Sequence, residues 1–281
     1  MELLLGKLVA QKIFSETEKR ILDSGIRPGL AVILVGDDEP SHLYVSLKQK
    51  AAEKIGIFFE KHLFSADVSQ EKIFECIQSL NARKDIHGII VQLPLPFGFT
   101  TDALIECIAP EKDTDGFHPR TIQDFLSGDT RALPVFPRAI IELLRATGQV
   151  FSGEKGLVIA NSDLMGKVMA QALQNENLDA EYVLSPENTE ELREKTQMSR
   201  VIVTACGRAR LVTRDMLSAG VILIDGGISY ENGKVVGDID TSDLETKASF
   251  LSPVPGGVGP VTVASLLARV TDAALQTKNK L

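Results

Sequence analysis

The sequence contains no tryptophan, three tyrosines and three cysteines among its 281 residues. Cys76, Cys107 and Cys206 are an odd number, lie far apart and form no Cys-x-x-Cys pair. Cysteines in this arrangement do not indicate a disulfide framework or a zinc site. We therefore expect a protein of the reduced cytoplasm that holds no metal.

The chain also lacks a surplus of positive charge and long hydrophobic runs. Lys and Arg number 30 against 38 Asp and Glu, so the formal net charge is −8, and no Lys/Arg run occurs. Nucleic acid and anionic membrane surfaces are therefore not expected as partners. No window approaches the roughly 20 apolar residues that a membrane span needs. The opening "MELLLGKLVAQKIF" has no basic segment before its short apolar stretch, unlike a signal peptide.

The composition is instead that of a folded α/β protein. The chain is 44% hydrophobic and 24% charged, and short apolar runs alternate with amphipathic stretches, a pattern typical of parallel sheets with crossover helices. Residues 117–137 carry three prolines and little periodicity, which predicts a connection between two domains. The stretch 262–274 predicts a strong helix that docks on one of these domains. The remaining predicted strands are 30–35, 57–62, 88–93, 157–160, 181–184, 201–205 and 221–224, and the remaining helices are 41–55, 69–81 and 101–108.

One lysine interrupts the apolar pattern of the helix in "LYVSLKQKAAEKIG". Leu43, Leu47 and Ala51 recur every four residues and predict a buried stripe. Lys48 follows Tyr44 by four residues, so the two side chains share a face beside that stripe. One explanation is that the lysine stem lies on apolar surface while the ammonium reaches water. The other is that Tyr44 and Lys48 line a pocket.

Further polar residues follow the predicted strands of the first half. Gln92 ends the apolar run of "HGIIVQLPLP", and Asp113 and Asp115 lie in "PEKDTDGFHP". The spacing of this second stretch does not fit a calcium loop. A turn stabilised by carboxylates explains Asp113 well and Asp115 less well, and we interpret His118 as structural. Because open α/β sheets bind ligands beyond the carboxyl ends of their strands, we expect a binding crevice between the two domains.

Two glycine-containing stretches leave alternatives open. "LVIANSDLMGKVMAQAL" predicts a strand, a turn and a helix, but it lacks a dinucleotide fingerprint, so Gly166 indicates helix–strand packing as readily as phosphate binding. In "SPVPGGVGPVT", Gly256, Gly257 and Gly259 precede a helix. These glycines suit either an anion or cofactor at the helix start or a tight inter-domain turn.

Taken in order, Tyr-x-x-x-Lys, "VQLPLP", "PEKDTDGFHP", "IDGGI" and "PVPGGVGPVT" give the chain a specific resemblance. It resembles the bifunctional methylenetetrahydrofolate dehydrogenase/cyclohydrolase family, commonly called FolD, over nearly its whole length. The resemblance implies an N-terminal α/β catalytic domain, a Rossmann-like parallel-sheet cofactor domain and a C-terminal helix that returns to the first domain. The corresponding ranges are 1–118 with 262–281 for the catalytic domain, and 119–261 for the cofactor domain.

The resemblance also implies an activity and residue roles. Such enzymes oxidise 5,10-methylenetetrahydrofolate with NAD(P) and hydrolyse the methenyl product to 10-formyltetrahydrofolate, commonly as cytoplasmic homodimers. Lys48 is the implied acid/base group, Gln92 its hydrogen-bond partner, Tyr44 a stacking surface for the folate, and Asp115 the group that binds the pterin. The full implied substrate site comprises Tyr44, Lys48, Val91, Gln92, Leu93, Asp115, Pro255, Gly256 and Gly257.

The cofactor half departs from the family pattern. NADP is the family default, but Asn161 stands where the arginine for its 2′-phosphate is expected, and the second basic position aligns with Glu187 and Asn188. These replacements make NAD plausible, although Lys167 or the Arg208–Arg210 pair could reach the phosphate. Three interpretations follow: the complete bifunctional enzyme, a cyclohydrolase with weak or lost dehydrogenase activity, and a non-catalytic folate- or nucleotide-binding relative. The implied cofactor contacts are Ala160, Asn161, Ser162, Gly166, Cys206, Gly207, Ile228, Gly259 and Thr262.

Overall fold

The computed structural model describes residues 1–184, 189–231 and 233–279. The chain forms two compact units, and each of them combines two separate stretches of sequence. Gln11–Val135 and Val263–Leu281 form the first, which we call the three-stranded unit after its sheet. Met1–Ala10 and Phe136–Thr262 form the second, the six-stranded unit.

Strands and helices alternate along most of the chain. The strands of the described residues are β1 (Glu2–Leu3), β2 (Gly29–Val35), β3 (Phe58–Phe64), β4 (Gly88–Val91), β5 (Lys155–Ala160), β6 (Asp179–Leu184), β7 (Val201–Ala205), β8 (Val221–Asp225), β9 (Ser229–Glu231), β10 (Lys234–Val236) and β11 (Ala248–Ser252). The α-helices are α1 (Gly6–Ser24), α2 (Glu39–Lys54), α3 (Gln70–Ala82), α4 (Thr101–Glu106), α5 (Pro119–Leu126), α6 (Val135–Ala146), α7 (Asp163–Gln174), α8 (Thr189–Met198) and α9 (Val258–Asn279).

The sheet of the three-stranded unit is parallel in the order β3-β2-β4. Every residue of the central strand β2 is buried. Its side chains alternate between two hydrophobic clusters, because successive residues of a strand point to opposite faces. Leu30, Val32 and Leu34 join one cluster and Ala31, Ile33 and Val35 the other. The apolar run of the sequence is therefore a strand covered on both sides.

Helix α9 supplies one of these covers. Leu266, Leu267 and Val270 pack in the same cluster as Val32 of β2, which confirms that the C-terminal helix returns to the first domain. By length and hydropathy the segment Val258–Lys278 could cross a membrane, contrary to the sequence prediction, but 61% of its most apolar window is buried within the protein. A core helix meets the same criteria, so this observation is weak evidence for a membrane span.

The sheet of the six-stranded unit is also parallel, in the order β1-β11-β8-β7-β5-β6. The central strands bury Leu157, Ile159, Ile202 and Leu223 in one cluster. Strands β9 and β10 form a separate antiparallel pair. The predicted α/β class with parallel sheets is thus confirmed.

Residues 117–137, predicted to connect two domains, contain the boundary of the two units between Val135 and Phe136, and they are largely helical. This stretch contains α5, a 3-10 turn at Thr130–Ala132 and the start of α6. Pro119 occupies the first position of α5, where a missing N–H costs no helical hydrogen bond. The Nδ1 atom of His118 caps the helix by accepting a hydrogen bond from the Arg120 N–H, which fits the structural role predicted for this histidine.

Candidate active site

Helix α2 presents a lysine at the centre of its buried face. The buried residues of this helix are Ser41, Val45, Lys48 and Ala52. The prediction that Leu43 and Leu47 form the buried stripe is wrong, because they are 63% and 49% exposed. The helix instead turns Val45 into the core beneath β2, and Lys48 lies one turn further along the same face.

The Lys48 amine is buried and contacts two neighbouring side chains. Its side chain is 5% exposed, and Nζ donates a hydrogen bond of 2.9 Å to Oε1 of Gln92. Nζ also lies 4.7 Å from the centroid of the partly buried Tyr44 ring. Burial lowers the pKa of Lys48, whereas the charge of Asp115 opposes this shift. Burial also raises the pKa of Tyr44, so its ring stays neutral. A lowered pKa brings an amine closer to the range in which a side chain can exchange protons at physiological pH.

The position of Gln92 follows from the end of β4. Its backbone N–H donates to Ile33 O at 2.8 Å, so the residue continues the sheet ladder by one step. Its side-chain Nε2 donates to Leu93 O at 2.7 Å, which leaves Oε1 as the acceptor for Lys48. The orientation of the amide is therefore determined at both ends. Val91 is buried and Leu93 is 40% exposed on either side.

The turn after Lys112 contains two carboxylates, of which one stabilises the backbone of the turn and the other does not. The buried Asp113 accepts 2.9 Å hydrogen bonds from the N–H groups of Gly116 and His118, which confirms its predicted role in the turn. Gly116 has a φ of 89°, and a Cβ atom there would lie 2.7 Å from Pro134 Cα. Asp115 thus occupies a fixed position within a turn that another residue already stabilises.

Asp115 shares the electrostatic environment of Lys48. Its side chain is partly buried, and burial raises its pKa, while the positive charges of Lys48 and Arg269 oppose that rise. Arg269 of α9 also donates to the backbone oxygens of Leu133 and Asp113, at 2.5 and 3.2 Å. The structure therefore brings Tyr44, Lys48, Gln92 and Asp115 into one unit. The sequence analysis missed Arg269, which lies in an apolar helix far along the chain.

The glycine loop Pro255–Gly257 belongs to the six-stranded unit. Gly6 N–H donates to Gly256 O at 2.9 Å, and a Cβ on Gly6 would come within 1.8 Å of Gly257 O. A Cβ on Gly257 would itself lie 2.7 Å from Pro253 O. Close backbone approach thus accounts for Gly6 and Gly257, whereas a Cβ at Gly256 or Gly259 would meet no atom within 4 Å. Gly256 instead has a φ of 105°, which favours glycine.

Strands β5 and β7 end side by side in the six-stranded unit. Ala160 pairs with Ala205 in the parallel ladder, so Asn161 and Cys206 leave the sheet at the same edge. The Cys206 thiol donates to Ile159 O at 3.2 Å, and burial raises its pKa to about 12, so it is not a nucleophile. Gly207 follows with a φ of 67°. This edge is where parallel sheets bind ligands.

Helix α7 starts at this edge. Ser162 caps it by accepting a hydrogen bond from Met165 N–H at 3.4 Å. A Cβ on Gly166 would lie 2.3 Å from Cδ2 of Tyr182, so this glycine permits close packing of α7 on β6. Of the two explanations left open for Gly166, the structure supports packing.

The basic residues near this edge have acidic partners. Lys167 forms a 2.6 Å ion pair with Asp163, whose other oxygen accepts a 2.6 Å hydrogen bond from the Tyr182 hydroxyl. Arg210 pairs with Glu231 at 3.0 Å. Asn161 is exposed and uncharged. The predicted contacts Glu187 and Asn188 lie outside the described residues.

The six-stranded unit also contains two predicted cofactor contacts and two buried carboxylates that were not predicted. Ile228 is 61% exposed, and the Thr262 hydroxyl donates to Val258 O at 3.1 Å within α9. Asp225 and Asp238 are buried, and the sequence analysis singled out neither of them, although "IDGGI" and "GDID" pair each with glycine. Within the described part of the chain, no His, Cys, Asp and Glu side chains cluster in a way that could hold a metal ion.

Comparisons with known proteins give matches in both halves of the chain. The family model "Tetrahydrofolate dehydrogenase/cyclohydrolase, catalytic domain" matches residues 4–115, and "Tetrahydrofolate dehydrogenase/cyclohydrolase, NAD(P)-binding domain" matches residues 134–278. The bifunctional protein FolD of Brevibacillus brevis is 41% identical over 276 residues, covering 97% of this chain and 96% of the relative.

Solved structures show the same similarity. The bifunctional FolD enzyme of Campylobacter jejuni superposes with a TM-score of 0.91 at 37% identity, covering 100% of both chains. The Trypanosoma brucei enzyme, solved with NADP cofactor and inhibitor, superposes with a TM-score of 0.91 at 30% identity, covering 99% of this chain and 98% of that one.

Proposed function

Because the chain belongs to the tetrahydrofolate dehydrogenase/cyclohydrolase family, we propose that it catalyses two successive reactions of one-carbon folates. The first oxidises 5,10-methylenetetrahydrofolate with a nicotinamide nucleotide, and the second hydrolyses the methenyl product to 10-formyltetrahydrofolate. The observation that carries this proposal is the buried Lys48–Gln92 hydrogen bond beside the Tyr44 ring. Because a buried amine destabilises the fold, a purely structural role for Lys48 does not explain its position.

In the hydrolysis, Lys48 is the proton acceptor. Addition of water to the methenyl carbon forms a C–O bond and releases one proton, which the neutral Lys48 amine takes up. Cleavage of the bond between that carbon and N5 then transfers the hydroxyl proton to the nitrogen, leaving the formyl group on N10. Gln92 holds the amine through Oε1 and keeps its lone pair directed away from the amide. The negative charge of Asp115 affects this proton transfer, because it limits how far the pKa of Lys48 falls.

Asp115 and Tyr44 are the proposed folate contacts. The amino-pyrimidine edge of a pterin presents adjacent N–H donors, which a carboxylate accepts at two points. Asp113 and Arg269 hold the turn that carries Asp115, so this acceptor is preorganised. The Tyr44 ring, beside Lys48, offers a flat surface on which the folate can stack.

The carboxyl edge of the six-stranded sheet fits a nicotinamide nucleotide. A capped helix N-terminus at Ser162 and a left-handed glycine at Gly207 follow adjacent strand ends, an arrangement that suits the phosphates of a nucleotide. The residues proposed to hold it are Ala160, Asn161, Ser162, Cys206, Gly207, Ile228, Gly259 and Thr262, whereas Gly166 allows α7 to pack on β6. When bound, the nucleotide accepts the hydride from the methylene group.

We further propose that preference for NADP over NAD is weakened or inverted. Proteins commonly bind the 2′-phosphate of NADP with arginine, and here Asn161 supplies no charge. Lys167 pairs with Asp163, and Arg210 pairs with Glu231, so the charges of these cations are largely compensated. Losing one charged hydrogen bond costs about 1.5–3 kcal/mol, or roughly one to two orders of magnitude in affinity.

Steady-state kinetics of the purified protein test both proposals. Methylenetetrahydrofolate with NADP or NAD reports oxidation through the reduced nucleotide, and methenyltetrahydrofolate alone reports hydrolysis, after subtraction of the uncatalysed rate. We expect both reactions, with kcat/KM for NAD equal to or above that for NADP. Hydrolysis without reduction of either nucleotide would contradict the dehydrogenase proposal. A strong preference for NADP would contradict the cofactor proposal and direct attention to Arg208.

A further inference from the structure

Two buried carboxylates stand behind the loop that follows β7. Asp238 is completely buried, and its two oxygens accept hydrogen bonds of 2.7 Å each from the N–H groups of Cys206 and Arg208. The intervening N–H of Gly207 is directed at the same carboxylate. Three consecutive peptide groups therefore converge on one side chain, and the φ of 67° at Gly207 curves the chain around it.

A second carboxylate holds the first in place. Asp225 is 2% exposed, and its Oδ1 accepts from the Thr204 hydroxyl at 3.0 Å and from Asp238 N–H at 3.1 Å. The other oxygen, Oδ2, accepts from Ile239 N–H at 2.9 Å. Asp225 thus fixes the backbone of Asp238, and Asp238 fixes residues 206–208. The chain of contacts runs from the end of β8 to the end of β7.

Two glycines make room for these carboxylates. A Cβ atom on Gly227 would lie 2.0 Å from Cγ of Asp238, and one on Gly237 would lie 2.0 Å from Oδ2 of Asp225. Any side chain at either position would displace a carboxylate from its donors. Burial raises the pKa of both acids, that of Asp225 to about 6, so keeping either carboxylate ionised here costs folding free energy.

We propose that Asp238 is a positioning residue for the nicotinamide nucleotide, acting through the Cys206–Gly207 peptide that it holds at the sheet edge. This inference rests on the proposed function, in which Cys206 and Gly207 contact the cofactor. An ionised carboxylate is the side chain that offers acceptors alone, as three converging N–H donors require. Because Ala160 and Ala205 are paired, a shift of residues 206–208 would change the surface beside Asn161 and Ser162.

Substitution of Asp238 by Asn in the full-length chain tests the proposal. The amide places an NH₂ group against N–H donors, so the loop should lose its fixed position. We expect at least a tenfold higher Kd for the nicotinamide nucleotide by titration calorimetry, and faster amide hydrogen exchange of residues 206–208. The KM for the nucleotide should rise similarly, while kcat at saturation and hydrolysis of methenyltetrahydrofolate stay within threefold of wild type.

The control is Asp240→Asn, two residues away. The Asp240 carboxylate accepts hydrogen bonds from the N–H and hydroxyl of Ser242 within its own turn, so its substitution should leave nucleotide binding unchanged. If Asp238→Asn does not fold, Thr204→Val provides the test, since it removes one hydrogen bond to Asp225. We then expect a smaller rise in the nucleotide Kd with the same unchanged hydrolysis.

Three outcomes would overturn the proposal. The first is wild-type nucleotide affinity in Asp238→Asn, and the second is wild-type nucleotide affinity in Thr204→Val if Asp238→Asn does not fold. The third is an equal loss of hydrolysis and nucleotide binding, which would indicate a general structural role. Absence of nucleotide binding by the wild-type protein itself would instead contradict the proposed dehydrogenase function. The failure of this inference and the failure of the proposed function are therefore distinguishable.

Discussion

Replacement of Lys48 by methionine removes the proposed proton acceptor with little change in shape. Methionine keeps an unbranched stem of similar length in a site that is 5% exposed. A positioned general base accelerates proton transfer by about 10²–10⁴-fold. At 1.36 kcal/mol for each factor of ten, this corresponds to about 3–5 kcal/mol of activation free energy. We therefore expect Lys48→Met to hydrolyse methenyltetrahydrofolate about 10²–10⁴ times more slowly than wild type.

The pH dependence gives a second readout of the same group. Burial lowers the pKa of Lys48 below its ordinary value of 10.5, and the neutral amine is the proposed active form. The wild-type rate should rise with pH through this lowered pKa and then level off, whereas Lys48→Met should show no such rise. Stability should follow the same sign. Between the folded-state pKa and 10.5 the unfolded chain holds a proton that the folded chain lacks, so wild-type stability increases with pH there.

The matched control is Lys50→Met on the exposed face of the same helix. It carries the same substitution two residues away and should retain wild-type hydrolysis at every pH. Circular dichroism melting should show both variants folded. In Lys48→Met, the loss of a donor to Gln92 costs about 1–3 kcal/mol, but burial of the amine no longer destabilises the fold. Hydrolysis by folded Lys48→Met at the wild-type rate would refute the assignment of Lys48 as proton acceptor.

Three further substitutions test other parts of the structure. Asp115→Asn turns one acceptor into a donor facing donors, so the folate Kd should rise by roughly 5- to 150-fold, from a cost of about 1–3 kcal/mol; an unchanged Kd would remove Asp115 from the folate site. Asn161→Arg should increase NADP affinity by about one to two orders of magnitude relative to NAD. An equal gain from the control Asn175→Arg, at the far end of α7, would show a non-specific charge effect. Gly166→Ala should lower the free energy of unfolding in urea by about 1–3 kcal/mol, because the new methyl group overlaps the Tyr182 ring, and adding Tyr182→Leu should restore part of that loss. An unchanged urea midpoint in Gly166→Ala would refute the packing explanation.

Patterns confined to one segment predicted the structure best. The apolar run at 201–205 coincides with β7, and the run at 30–35 falls within β2. In both cases hydrophobic side chains in short succession can be buried only in a strand that is covered on both faces. The "PEKDTDGFHP" turn could also be predicted from the sequence, because Asp113 accepts hydrogen bonds from backbone groups three and five residues away.

Features that depend on distant residues were missed or misjudged. Periodicity predicts a buried stripe of α2 through Leu43 and Leu47, because periodicity alone does not indicate which side of the helix packs against the sheet. Asp225 and Asp238 are separated by 13 residues and meet only after the chain has passed through β9 and β10. Their role cannot be inferred from local spacing, since Thr204 of β7 and the N–H groups of Cys206 and Arg208 lie about 20 to 30 residues before the carboxylates to which they donate.

The discontinuity of both units has a consequence for synthesis on the ribosome. The three-stranded unit lacks Leu266, Leu267 and Val270 from its core until the end of the chain emerges. The six-stranded unit needs both residues 1–10 and β11, which is made about 240 residues later and pairs with β1. Neither core can be completed during early translation. One face of β2 can be covered earlier by Ile73, Ile77 and Leu80, whereas the face that carries Leu30, Val32 and Leu34 lacks the α9 side chains until that helix is released. A stall before this point would leave that face of β2 incompletely covered.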